Sequence, residues 1–256
     1  MSIWEALAVC AAGVGAGTIN TIVGSGTLLT FPVLLAVGLP PVTANVSNAL
    51  GLVPGSVSGA IGYRRELRGQ RDRVLRLSGA AFVGALAGAA LLVTLPSEAF
   101  NMIVPVLIAL ALVLVVAQPR LAGAIRRRRE RGGGAAPHRH GGPVLLGGIT
   151  LSSAYGGYFG AAQGVIYLAL MGLLIPDDLQ RINAVKNILG AVVNGTAALF
   201  FLFVADFDWT AVLLIAVGSA AGGQLGARLG RRLPPTALRA VIVTVGVAAI
   251  LQLLLG

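Results

Sequence analysis

Carboxylates are scarce in this chain. Nine Asp and Glu residues serve 256 positions, and charged residues of both signs reach only 11%, where a soluble domain carries about 25%. All nine lie near the ends of apolar runs or in loops. This leaves no paired carboxylates for acid–base chemistry and none of the intramembrane carboxylates common in proton-coupled carriers. The single cysteine, Cys10, excludes an internal disulfide and a cysteine-based metal cluster. The two histidines, His138 and His140, fall in a Gly/Arg-rich stretch, and neither HExxH nor GxSxG occurs. No enzyme activity, metal or cofactor is expected, and a membrane-embedded enzyme stands as an alternative without a motif.

What is present is apolar. Hydrophobic residues make up 56% of the chain and the mean hydropathy is +0.88. So little polar surface cannot cover the protein in water, so the lipid bilayer must be its partner. The expected class is an all-α polytopic membrane protein of the cytoplasmic membrane. The net charge of +10 is concentrated in three stretches: 63–76, 119–140 ("PRLAGAIRRRRERGGGAAPHRH") and 227–239, with Arg181 and Lys186 outside them. Basic loops between apolar segments mark the cytoplasmic side. No nucleic-acid partner is needed to explain them, and attraction of anionic headgroups is compatible. The opening "MSIWEALAVC" lacks a basic start and reads as a first helix beginning outside, not as a cleaved signal.

Apolar segments run at 3–23, 27–39, 43–63, 74–94 and 100–118, then at 143–163, 164–175, 183–204, 208–229 and 237–255. Eight are long enough to cross ~30 Å of hydrocarbon. Segments 27–39 and 164–175 reach only about 18–20 Å as helices and follow the glycine breaks "VGSG" and "AAQG". They read as broken or re-entrant helices.

The short segments hold corresponding places in two halves. "ANVSNALG" (44–51) aligns without gaps to "NAVKNILG" (183–190), "VGALAG" (83–88) to "VGSAAG" (217–222), and "LPSEAF" (95–100) to "LPPTAL" (233–238). The organisation is therefore an N-terminal repeat, 1–118, a basic cytoplasmic linker, 119–142, and a C-terminal repeat, 143–256. Five segments per half imply inversion, although short segments that fail to cross would make the number even. The charges point the same way: loop 64–73 carries five arginines and its counterpart 205–208, "ADFD", none, whereas loop 95–99 is free of bases and its counterpart holds Arg231 and Arg232. Trp4 and Trp209 then both fall at the outer interface.

The run "GSGTLLTFPVLLAVGLPPVTANVSN", followed by "GLVPGSVSGAIGYRREL", resembles the amino-terminal signature of the TauE/SafE family of membrane permeases. The second half departs from it, with Gln163-Gly164 in place of a glycine run and no helix proline before Pro176. The resemblance implies a transporter of small anions such as sulfite, sulfoacetate or other organosulfur compounds. An anion channel is the alternative within the same class.

The residues support an anion independently. Broken helices in inverted-repeat transporters present half-helix N-termini, with partial positive charge, to an anionic ligand. The candidate substrate-binding residues are Gly24, Ser25, Gly26, Gln163 and Gly164 at the breaks, with Asn45, Asn48, Asn183, Lys186 and Asn187 beside them. Amides and an ammonium donate without a competing carboxylate. Competing readings are interhelical glue for the asparagines and a Lys186 that snorkels to the inner surface. Glycines at 51, 55 and 59, and at 218, 222, 226 and 230, have the spacing of close helix packing.

Overall fold

A computed structural model describes residues 1–130, 142–229, 243–245, 247 and 250. Among these residues the secondary structure is entirely helical: α1 (Ile3–Ile22), α2 (Thr27–Ala36), α3 (Pro41–Gly62), α4 (Arg71–Thr94), α5 (Ser97–Glu130), α6 (Gly142–Tyr158), α7 (Gln163–Leu174), α8 (Leu179–Phe201) and α9 (Trp209–Leu229). Residues 131–141 of the linker, loop 230–235 and most of the expected last span, 237–255, with Arg231, Arg232, His138 and His140, lie outside the described residues.

Local chemistry sets the helix starts. Ser2 and Glu5 close a reciprocal capping box on α1, with bonds of 3.3 and 2.6 Å. Asp178 caps α8 through Gln180 N–H at 2.8 Å, and Asp208 caps α9 through Ala211 N–H at 2.8 Å. Pro41 opens α3 at its first position, where the missing N–H costs nothing. α5 differs from the expected segment 100–118, because "RLAGAIRRRRE" consists mostly of good helix formers and carries the helix on to Glu130.

Five described helices, α1, α4, α5, α8 and α9, are long and apolar enough to cross a membrane. α3 has the length but is diluted by Asn45, Ser47 and Asn48, and α6 has only 17 residues. Large apolar side chains face outward, with Met102 74% and Leu151 75% exposed, as expected of a surface in contact with lipid.

Two helical hairpins organise the interior. α2 folds back along α1, so that a Cβ at Gly15 would meet Leu29 at 2.6 Å. α7 folds back along α6, so that a Cβ at Gly148 would meet Leu170 at 3.1 Å. The long helices then pack crosswise, α1 against α9 and α4 against α6. The segments matched in sequence do the same work. Gly218 and Gly222 receive the α1 backbone at Cys10 and Val14, and Gly84 and Gly88 receive the α6 backbone at Thr150 and Ala154. Such contacts replace a hydrophobic driving force that lipid cannot supply. Hydrogen bonds tie α9 further to α1 and α3: Thr18 to Gly222 O at 3.1 Å, Ser219 to Gly51 O at 2.8 Å and Ser58 to Ala220 O at 2.7 Å.

At one end of the bundle, Asp177 in the α7–α8 turn accepts from Arg73 of α4 at 2.6 Å and from Arg181 Nε at 2.9 Å. Burial alone would raise the Asp177 carboxyl, but the Arg73 hydrogen bond, the Asp178 N–H and both guanidinium charges outweigh it and hold the group below its ordinary value. A depressed folded pKa means that this contribution to stability is present above the unfolded value, about pH 4, and is lost as pH falls through the folded value. Asp177→Asn is therefore expected to lower the melting temperature at pH 7 and to flatten its decline below about pH 4. Equal acid sensitivity in both proteins would remove this role.

Candidate functional site

The two hairpin tips meet. α1 ends at Gly24, whose φ of +86° lets its N–H close back on Ile19 O at 3.1 Å. α6 ends the same way at Gly160, φ +79°, whose N–H closes on Tyr155 O at 3.1 Å. From there Gly164 N–H donates to Gly24 O at 3.0 Å. A Cβ built on either glycine would overlap the Cα of the other, so the tips touch through bare backbone. α2 and α7 both begin at this junction.

The N–H groups freed by the breaks have few acceptors. Among the described residues none accepts from Ser25, Gly26 or Thr27 in the first half, or from Ala161 or Ala162 in the second. The Ser25 hydroxyl is 1% exposed and has no hydrogen-bond partner. Ala162 holds a left-handed conformation, φ +58°, a local cost of about 1–2 kcal/mol for a residue with a Cβ.

The opposite ends of the broken helices are capped crosswise. The carbonyls at the end of α1 accept from α8: Lys186 Nζ reaches Asn20 O at 2.8 Å and Thr21 O at 3.0 Å, while Asn183 and Asn187 reach Thr21 O at 3.2 and 3.4 Å. The carbonyl at the end of α6 accepts from α3, where Asn45 Nδ2 reaches Tyr158 O at 2.9 Å. Lys186 is only 3% exposed, so its ammonium stays inside the bundle and does not snorkel. The negative end of the α1 dipole partly compensates it.

Between these elements lies a small cavity of about 20 Å³, room for about one water molecule. Of the ten expected residues, Gly24, Gln163, Gly164, Lys186 and Asn187 line it. Ser25 and Gly26 are adjacent in the chain. Asn48 instead fixes the first turn of α2, accepting from Thr30 Oγ1 at 2.5 Å and donating to Thr27 Oγ1 at 3.3 Å. Asn45 caps α6, and Asn183 borders a second, largely apolar cavity of about 190 Å³ with Tyr63, Gln118 and Leu179. The sequence reading missed Asn20, Thr27, Ser56 and Tyr167, which also line the smaller cavity. Asn20 was visible as a lone amide in an apolar run. Tyr167 had no such signal, yet its hydroxyl joins Ser153, at 2.6 Å, to Gln163.

Apolar crossing helices around a small polar cavity, built where two broken helices meet, define a multi-pass membrane protein of transporter design. A profile of the family described as "Sulfite exporter TauE/SafE" matches residues 9–253. The chain belongs to this family of membrane transporters. It is similar to "Probable membrane transporter protein YfcA" of Escherichia coli K12, 30% identical over 240 residues that cover 93% of this chain and 86% of the relative. It also resembles "Probable membrane transporter protein ORF9" of Sinorhizobium sp, 27% identical over 93% of this chain and 88% of that one. A "Probable membrane transporter protein" of Haemophilus influenzae is 25% identical, with 90% and 87% covered. No solved structure matches the chain.

Proposed function

We propose that the protein carries a small anion, sulfite, sulfoacetate or another organosulfur anion, across the cytoplasmic membrane, without enzymatic chemistry. The observation that carries this reading is the convergence of two half-helix N-termini and one buried ammonium on a single cavity. Free backbone N–H groups in a membrane interior cost several kcal/mol each, and an oxyanion satisfies several at once. At about 20 Å³ the cavity is smaller than such an anion, so in this reading the helix tips part to admit it, as in a carrier that changes shape with each cycle and not in an open channel.

The halves 1–118 and 143–256 act in this reading as inverted repeats joined by the cytoplasmic stretch 119–142. Each hairpin, α1–α2 or α6–α7, returns the chain to the side from which it came. Three crossings per half then remain, α3 to α5 in the first, and the odd number keeps the halves inverted. The exchanged caps, α8 on α1 and α3 on α6, and the matched glycine pairs of α4 and α9 support a pseudo-two-fold arrangement.

Two measurements test the proposal. In a Cys10→Ala background, cysteines at Ser97 and Asp206 are expected to react with an impermeant reagent from outside, and one at Arg68 only after permeabilisation. Outside labelling at Arg68 overturns the topology. For the substrate, purified protein is titrated with sulfite, sulfate, sulfoacetate and a matched set of cations, and the same anions are followed in loaded vesicles. Thermal stabilisation and saturable flux with sulfur oxyanions are the expected result, and stabilisation by cations alone would sink the anion assignment.

A further inference from the structure

The ammonium of Lys186 has three N–H groups and only two acceptors, Asn20 O and Thr21 O; no other described residue accepts from it. A neutral amine has two N–H groups, and these two carbonyls would satisfy both. The third N–H exists only in the charged form, and the side chain holding it lines the cavity that α2 and α7 open onto. With the cavity empty of anions, a proton on Lys186 adds an unpartnered donor and an isolated charge deep in the bundle, which is costly. With an anion in the cavity, the same proton supplies the missing partner and cancels the charge.

We infer that Lys186 is the coupling group of the transporter: it takes up one proton with each anion that enters the cavity and returns that proton when the anion leaves. The inference rests on the anion reading above and adds the co-transported ion to it. The balance is simple: the amine lone pair takes H⁺ from the side to which the cavity is open, the ammonium and anion face each other during the switch, and both are released on the other side. Coupling of this kind is reciprocal, so that protonation tightens anion binding by the same factor by which the anion tightens protonation.

The surroundings fit this role. Among the described residues no carboxylate lines the cavity to hold the ammonium permanently charged. α1 presents two carbonyls, α2 Thr27 and α3 Ser56, none of them titratable. α6 presents Gly160, and its Tyr155 hydroxyl is engaged with Ala161 O. From α7 the facing titratable group is Tyr167, already bonded to Ser153 and Gln163. On α4 and at the start of α8, Arg73 and Arg181 are both paired with Asp177. Asn187, one residue on, donates to Thr21 O.

The test uses the full protein in sealed vesicles carrying a lumenal pH dye, with methanesulfonate and sulfoacetate as probes because sulfonates stay ionised throughout the pH range. Uptake of methanesulfonate is expected to acidify the lumen by one proton per anion, to be indifferent to an imposed potential, and to fall as external pH rises. Lys186→Arg, whose guanidinium keeps its proton, is expected to retain anion binding but to lose the acidification. Sulfonate entry into wild-type vesicles without acidification overturns the coupling and leaves the anion reading intact, and so does an Arg variant that still acidifies. If neither sulfonate binds or enters, the anion reading fails first and the coupling with it. The wild-type measurement decides the matter even where the Arg variant does not fold.

Discussion

Gly164→Ala is expected to abolish transport and to lower the melting temperature in detergent. The added methyl would overlap Gly24 Cα and press on Gly24 O, which are backbone atoms with no rotamer to yield. The hairpin tips must then separate, breaking the Gly164 N–H to Gly24 O bond. Overpacking costs about 1–3 kcal/mol and the lost bond about 1 kcal/mol more, for a total of about 2–4 kcal/mol. Gly24→Ala should be worse, since φ +86° adds strain to the same overlap. Gly195→Ala is the control: among the described residues nothing lies within 4 Å of its added methyl, so both flux and melting should match wild type or improve slightly. A Gly164→Ala protein that transports normally would show that the tips are already apart in the working cycle.

The second large effect falls on Lys186. Lys186→Met is expected to reduce anion kcat/KM by roughly tenfold to a hundredfold, the worth of one charge-assisted hydrogen bond of about 1.5–3 kcal/mol. Folding should change much less. The substitution removes a lysine from the bundle interior, a gain of about 2.5–3.5 kcal/mol on insertion scales, but strands the Asn20 and Thr21 carbonyls at about 1–3 kcal/mol each. The two nearly offset, and Asn183 and Asn187 still reach Thr21 O. Flux measured beside melting separates the effects: a collapse of both makes Lys186 a structural cap, and no change in either removes it from the site.

The helices and their two breaks were legible in the sequence because apolar runs of crossing length are interrupted by glycine. The meeting of the breaks was not. Gly24 and Gly164 touch through backbone, and such a contact leaves no side-chain pattern to read. The aligned asparagines were legible as costly polar groups, but their partners were hidden. Asn48 bonds to the threonines of α2, whereas Asn187 turns to the end of α1. The first half supplies Thr27 and Thr30 at the start of its short helix; the second has Gln163 and Tyr167 there, already bonded to each other, with Gln163 also donating to Ser152 O and Tyr167 bonded to Ser153. Equal sequence positions thus acquired unequal bonds from their neighbours.

Crosswise packing also sets a timetable for synthesis. The α1 face around Gly13 and Gly17 is covered by α9, and Thr18 bonds to a carbonyl 204 residues later in the chain. At about 5–20 residues per second on the ribosome, that partner emerges roughly 10–40 s after α1 has entered the bilayer. Throughout this interval the glycine face of the first helix and the Thr18 hydroxyl lack the α9 partner that covers them in the finished fold. The earlier half cannot finish folding before the later one arrives.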